Sequence, residues 1–284
     1  MTLHRPHGSL STGSDPVSLT PERAGWSFCG LHVLRLEPGE HRSLRFPTDE
    51  VAVVPLSGSC EVETAADHFE LTGRTDVFSS VTDLCYLGVG SKFEIWSEEG
   101  GEFALATARA SDPRPARYYP ASDVAVEIRG AGAATRQING LLSADVEGPE
   151  KLIVVEVLTP EGNWSSYPPH KHDELSADEV PLEEIYYFRI DGDDGFGFHR
   201  TYTSDGEIDE TVTVVDGDVF LIPRGYHGPC VAAPGYDMYY LNVMAGPAEE
   251  RVWLICTDPR HAWVWDAWAG VPPDPRLPMT KERE

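Results

Sequence analysis

The chain has 284 residues, 41% of them hydrophobic and 24% charged, and its 22 Lys and Arg against 47 Asp and Glu give a formal net charge of −25. Phosphate contacts need clustered cations, so this acidity argues against a nucleic-acid partner, while the apolar share supplies a core and argues against disorder. No run approaches the ~18 consecutive apolar residues of a membrane span. Met1–Pro16 lacks the basic region and apolar run of a signal peptide, and the five cysteines (Cys29, Cys60, Cys85, Cys230, Cys256) are scattered and never spaced as CxxC. That is the usage of a reducing compartment, so a cytoplasmic protein is expected.

Strand signals dominate the chain. Taken in order, Glu50–Leu56, Phe93–Trp96, Leu152–Leu158, Glu184–Ile190, Phe196–Tyr202, Glu210–Val215, Val219–Ile222, Met238–Val243 and Val252–Thr257 are short and rich in β-branched and aromatic residues. Gly, Pro, Asp or Asn bound them, and 26 Gly with 23 Pro supply the turns. No long amphipathic pattern competes, so the fold class is all-β, in sandwiches or barrels. The stretch Ser111–Gln137, with Pro113, Pro115, Pro120 and the small-residue run Gly130–Ala134, reads as a link between two halves.

The halves echo one another. Glu184 opens a strand that reaches Gly192 after eight residues, and Asp218-Val219-Phe220 precedes His227 by nine. In the first half Glu50 precedes Gly58 by eight, and Asp76-Val77-Phe78 precedes Cys85 by nine. Two copies of one β-fold are therefore expected, over residues 1–115 and 116–284. The second copy has a histidine pair and a further His227, whereas the first has a lone His41 and a cysteine at the corresponding end.

The strongest local signal is Tyr167-Pro-Pro-His170-Lys-His172. Residues i and i+2 of a strand share a face, so the HxH pair can aim two imidazoles at one point. An acidic residue heading the next strand, Glu183 or Glu184, and His227 after the turn Pro223-Arg-Gly-Tyr226 would complete a site of three imidazoles and one carboxylate. Parity alone does not choose between the two glutamates. Glu174, Asp178 and Glu179 in the intervening loop read as solvated charge.

These residues resemble the cupin superfamily, whose pattern is matched by His170, His172, Glu184 and Gly192, and by Gly217, Pro223, Gly225 and His227. Eleven residues separate His172 from Glu184, more than in a typical cupin. The runs Tyr167–Glu174, Glu183–Phe188, Gly195–Phe198 with Arg200 and Tyr202, Asp216–His227 and Ala233–Pro247 resemble more closely the IolB family of 5-deoxy-glucuronate isomerases. Thr135-Arg-Gln-Ile138 extends the likeness, and His199 departs from it. The resemblance implies a bicupin, two double-stranded β-helix (jelly-roll) barrels, with a degenerate first site and a second barrel that holds one divalent metal ion through His170, His172, Glu184 and His227. Zinc is expected ahead of manganese or iron.

The implied reaction moves a carbonyl to the neighbouring carbon of a small anionic sugar acid, by proton transfer through an enediol and without redox change. The substrate's carboxylate needs a cation in so acidic a protein. Lys171, Arg189, Arg200 and Arg224 lie nearest the ligands in sequence, and Arg200 and Arg224 offer the guanidinium fork that suits a carboxylate. Tyr167, Tyr187, Glu156 and Asp237 are the candidates for proton transfer, unranked. Alternatives are a 4-deoxy-5-ketouronate isomerase, a cupin Fe(II) dioxygenase and a non-catalytic sugar-binding cupin. The aromatic tail His261–Trp268 is expected to clasp either its own barrel or a second subunit of a homo-oligomer.

Overall fold

The computed structural model describes residues 2–280. Among these the chain is almost entirely strand, as the β-branched runs and turn residues predict, and the strands form two barrels. In the first, Asp49–Thr64 lies between Leu84–Leu87 and Gly101–Arg109, and Cys29–Leu36 pairs with the latter. Asp49–Thr64 is long enough to bend into a second face, where it pairs with His68–Arg74 and Lys92–Ser97. In the second barrel, Ile153–Thr159, Met238–Ala245, Glu183–Ile190 and Val219–Ile222 are successive neighbours in one sheet. The facing sheet carries Gly197–Tyr202, Tyr226–Ala232 and His170–Lys171.

Strand parity distributes these residues among three cores. Tyr186 and Phe188 turn into the second barrel with Ile153, Val155 and Val157. Their neighbours Ile185 and Tyr187 turn the other way, against Leu31, Val33, Ala52 and Val54 of the first half. The barrels thus meet across a continuous apolar layer, in which each fully buried aliphatic side chain is worth about 1.5–3 kcal/mol. The first barrel has its own interior, around Val51, Val53, Phe93 and Phe103.

The register refines the internal repeat. Glu184 pairs with Ile222, and in the first barrel Val51 pairs with Leu87. The counterpart of Glu184 is therefore Val51, while Glu50 corresponds to Glu183. Likewise Leu84–Leu87, not Asp76–Phe78, matches Val219–Ile222.

The division at residues 115 and 116 also needs correction. His4–Arg5 pairs with Val219 and Phe220 of the second barrel, while Arg117–Tyr119 pairs with Leu84, Cys85 and Tyr86 of the first. Each half sends its leading strand to the other's sheet. The expected linker is largely structured, with Arg117–Tyr119, Ala125–Arg129 and the start of Arg136–Leu142 all strands. Val252–Thr257 is strand only at Cys256–Thr257. Its remaining residues run across the mouth of the second barrel. No helix among the described residues is long and apolar enough to cross a membrane.

Candidate metal centre

His170 sits directly opposite His227 in the sheet, and His172 follows on the same face two residues on. Glu184 reaches the same point from the facing sheet. One ligand atom from each of His172, Glu184 and His227 lies within 4.8 Å of the others, so the three could hold a metal ion. All three are buried. The His170 ring, partly exposed, lies 4.6 Å from that of His227 and stands at the mouth.

Backbone carbonyls set the direction in which each imidazole can act. Nδ1 of His172 donates to the Leu182 carbonyl at 3.0 Å, that of His227 to Gly225 at 3.1 Å, and that of His170 to Pro168 at 3.3 Å. With Nδ1–H committed, each Nε2 presents a lone pair, the tautomer of a metal ligand. Nε2 of His172 and Nε2 of His227 lie 3.0 and 3.1 Å from the same Glu184 oxygen. Acceptors packed so closely need a cation between them. His227 Nε2, although that near, makes no hydrogen bond and is buried. Burial would raise the Glu184 carboxyl, but the adjoining His227 and His172 rings hold it well below the usual range. Its other oxygen accepts from Asn242 Nδ2 at 2.6 Å. Two imidazole nitrogens and a carboxylate, with the His170 ring close by, are donors suited to a divalent ion of the zinc, manganese or iron type.

The loop that delivers the HxH pair is rigid despite its length. Glu179, 3% exposed, folds back to accept the backbone N–H groups of Asp173 and Glu174 and grips Lys171 Nζ with both oxygens at 2.9 Å. Asp173 holds Lys171 and the Gly225 N–H. Glu179 is therefore a structural brace, not solvated charge, and Lys171 points away from the metal centre. Ser166, with φ of 48°, is a strained non-glycine residue beside the site. Gly228, at φ 90°, passes so near that a Cβ there would lie 1.8 Å from the Ser166 carbonyl oxygen.

The sequence candidates for proton transfer divide. Tyr167 lines a narrow cavity of about 30 Å³ with His170, Glu184, Tyr186, Tyr240, Asn242 and Trp253. Tyr187 faces the layer between the barrels, because it is one residue out of phase with Glu184. Glu156 turns to the same layer, where Arg74 of the first half forks onto it at 3.0 and 2.8 Å and Tyr239 donates to it. Asp237 accepts the Glu161 N–H at the far end of its strand, about six residues or roughly 20 Å from the level of Glu184.

Neither favoured arginine reaches the cavity. Arg200 lies outside the barrel, bidentate on Asp209 at 3.0 and 3.1 Å and 4.4 Å above the Tyr202 ring. Arg224 is held by Asp205 and Glu207 on the surface. Two residues missed by sequence reasoning line the cavity instead. Tyr186 shares the Glu184 face, and its hydroxyl meets Ser166 Oγ at 2.8 Å. Arg136 enters from the strand Arg136–Leu142. Larger hollows elsewhere, such as one of about 430 Å³ beside Arg189 and Asp216, are open and hold charges already paired.

Of the tail His261–Trp268, Trp265 lines the cavity beside Trp253 and Ile255, while Trp263 stays exposed.

Residues 3–264 match the model of the KduI/IolB family. The chain belongs to that family. Within the KduI/IolB family it is 43% identical to the 5-deoxy-glucuronate isomerase of Geobacillus thermodenitrificans, over 88% of this chain and 91% of that one. It is 35% identical to the 5-deoxy-glucuronate isomerase of Lacticaseibacillus casei, over 94% and 98%. The crystal structure of an IolB-like protein from Salmonella typhimurium superposes with a TM-score of 0.88 at 33% identity, covering 93% of this chain and 99% of that one. An oxalate decarboxylase of Lactobacillus farciminis shares the two-barrel cupin fold, with a TM-score of 0.65 at 13% identity over 90% and 88%.

Proposed function

We infer that this KduI/IolB member is an isomerase that interconverts 5-deoxy-D-glucuronate and 5-dehydro-2-deoxy-D-gluconate, a step of inositol catabolism carried out in the cytoplasm. The observation that carries the reading is the convergence of two Nε2 lone pairs on one carboxylate, with every Nδ1 tied to a carbonyl, in a chain whose relatives bear that enzyme's name. His172, Glu184 and His227 would hold one divalent ion, zinc ahead of manganese or iron, with His170 as fourth ligand at the mouth. When bound, it supplies electrostatic stabilisation of charge developing on carbonyl and hydroxyl oxygens.

The chain's own groups supply the rest. Aldose–ketose isomerisation removes the proton on the carbon next to the aldehyde and returns one to the former aldehyde carbon, so no oxidant is consumed. Burial, reinforced by the Glu184 charge, raises the Tyr186 hydroxyl well above its ordinary value and keeps it protonated. It is suited to donate a hydrogen bond to a substrate oxygen, not to remove a proton, and Ser166 Oγ is its hydrogen-bond partner. Asn242 fixes the second Glu184 oxygen, and the aromatic roof excludes water from the enediol.

The test is a product assay under nitrogen on metal-replete protein, with 5-deoxy-D-glucuronate and 4-deoxy-5-ketouronate in parallel. The reading expects turnover of the first, with deuterium from heavy water entering beside the new ketone. Turnover of the second alone, or of neither, overturns it.

A further inference from the structure

Arg136 occupies an unusual position for a charged residue. On its strand, Arg136 and Ile138 line the cavity that Val157, Tyr240 and Glu184 line from neighbouring strands, while Asn139 turns away to Glu156. The side chain is only 4% exposed. Its one hydrogen bond is a 3.3 Å contact from Nη1 to the Ala134 carbonyl, and no carboxylate among the described residues lies within ion-pair distance. The Trp268 ring lies 5.9 Å away.

Its cross-strand partner makes the arrangement costlier. Arg129 stands directly opposite Arg136, and like charges so placed destabilise a sheet. Arg129 is balanced by Glu127, which it grips at 2.7 and 2.7 Å. Arg136 has no such counter-ion. A second donor in the same cavity is also unmet, because Trp253 Nε1 is buried without a partner. In a chain of net charge −25 with 47 acidic residues, a buried guanidinium left without a carboxylate points to an anion from outside.

We propose that Arg136 is the anchor for the carboxylate of the substrate, with the Trp253 indole N–H as a second donor, so that a uronate is held with its carboxylate at Arg136 and its carbonyl end toward the histidines. This rests on the isomerase reading above and adds the group that selects an acid over a neutral sugar. A guanidinium fork donates two parallel hydrogen bonds to a carboxylate, which fixes the direction in which the substrate lies.

Tryptophan fluorescence on the metal-replete protein, titrated with D-glucuronate and with neutral D-glucuronamide, isolates this group from turnover. The wild type is expected to bind the acid about 10–100-fold more tightly than the amide, the range of a lost charge-assisted pair. Arg136→Met should abolish the difference while keeping its metal, and Arg136→Lys, which retains the charge without the fork, should leave a reduced one. Equal affinity for both ligands in the wild type, or full discrimination in either variant, overturns the anchor. Turnover of 5-deoxy-D-glucuronate is read separately. Discrimination without turnover leaves the anchor standing and removes the isomerase, while turnover without discrimination does the reverse.

Discussion

Glu50 and Glu183 perform the same task for opposite halves of the molecule. Glu50 accepts the backbone N–H groups of Glu150, Lys151 and Leu152 at 2.8, 2.7 and 2.6 Å, where the strand Ile153–Thr159 of the second half begins. Glu183 accepts those of Ser27, Phe28 and Cys29 at 2.7, 2.7 and 2.9 Å, at the matching place in the first half. Glu183→Gln puts an amide N–H₂ against donors and removes the charge. It should cost about 2–3 kcal/mol, as for hydrogen bonds to a charged group, read as a lower denaturant midpoint. An unchanged midpoint would show that the clamp does not hold the halves.

The metal centre is testable by composition alone. Purified protein should contain one divalent ion per chain by elemental analysis, and His172→Ala or Glu184→Gln should lose most of it. Chelation should lower the melting temperature of the wild type, since an ion bound only to the folded state stabilises it by mass action. The first barrel should bind none tightly at the matching position, because Val51 stands where Glu184 does. A Glu184→Gln protein with full metal content would sink the ligand assignment.

Tyr186 and Glu156 should separate catalysis from stability. Tyr186→Phe is expected to lower kcat by about 10²–10³-fold with metal content retained, as for loss of a hydrogen-bond donor to the charge developing on substrate oxygen. Arg74→Met leaves Glu156 buried without its cation and should cost about 3–5 kcal/mol of stability. Its folded fraction should keep an ordinary KM. A large KM change in Arg74→Met at full stability would return Glu156 to the site.

Acid should weaken the fold through His199. Its ring is fully buried between Cys230 Sγ at 3.0 Å and Thr201 Oγ1 at 3.1 Å, and burial pulls it down to about 3. The unfolded chain protonates the same ring near 6.5. Below that pH the unfolded state binds the extra proton, so this contribution is complete above pH 6.5 and is lost as pH falls toward 3. The loss reaches about 2 kcal/mol by pH 5. Stability measured against pH for wild type and His199→Gln should diverge below pH 6.5, with the variant flatter; parallel curves would refute the assignment.

Much of this was legible in the sequence because strand periodicity is local. The HxH spacing placed His170 and His172 together, and short β-branched runs marked most barrel strands. What escaped depends on register and on long-range pairing. One residue of phase turns Tyr187 into the layer between the barrels and Tyr186 into the cavity. Nearness in sequence recommended Arg200 and Arg224, yet the arginine that lines the cavity, Arg136, comes from far upstream, on the sheet that carries Glu184. Glu156 looked like a candidate base because nothing in its own strand reveals that Arg74 meets it. The signal that could have found Arg136 was the run Thr135-Arg-Gln-Ile138, where a charge stands two residues before Ile138 on what proves to be a buried strand face.

The crossing of the two leading strands sets a timetable for synthesis. His4–Arg5 is made roughly two hundred residues before its partner Val219–Ile222. A nascent chain halted near residue 115 carries a barrel whose Leu84–Leu87 edge is bare, since Arg117–Tyr119 has not yet arrived. Bare edges recruit other chains, and contacts so distant in sequence form slowly. For this enzyme the interval between making the first half and finishing the second is therefore the period in which that edge is most open to wrong pairing.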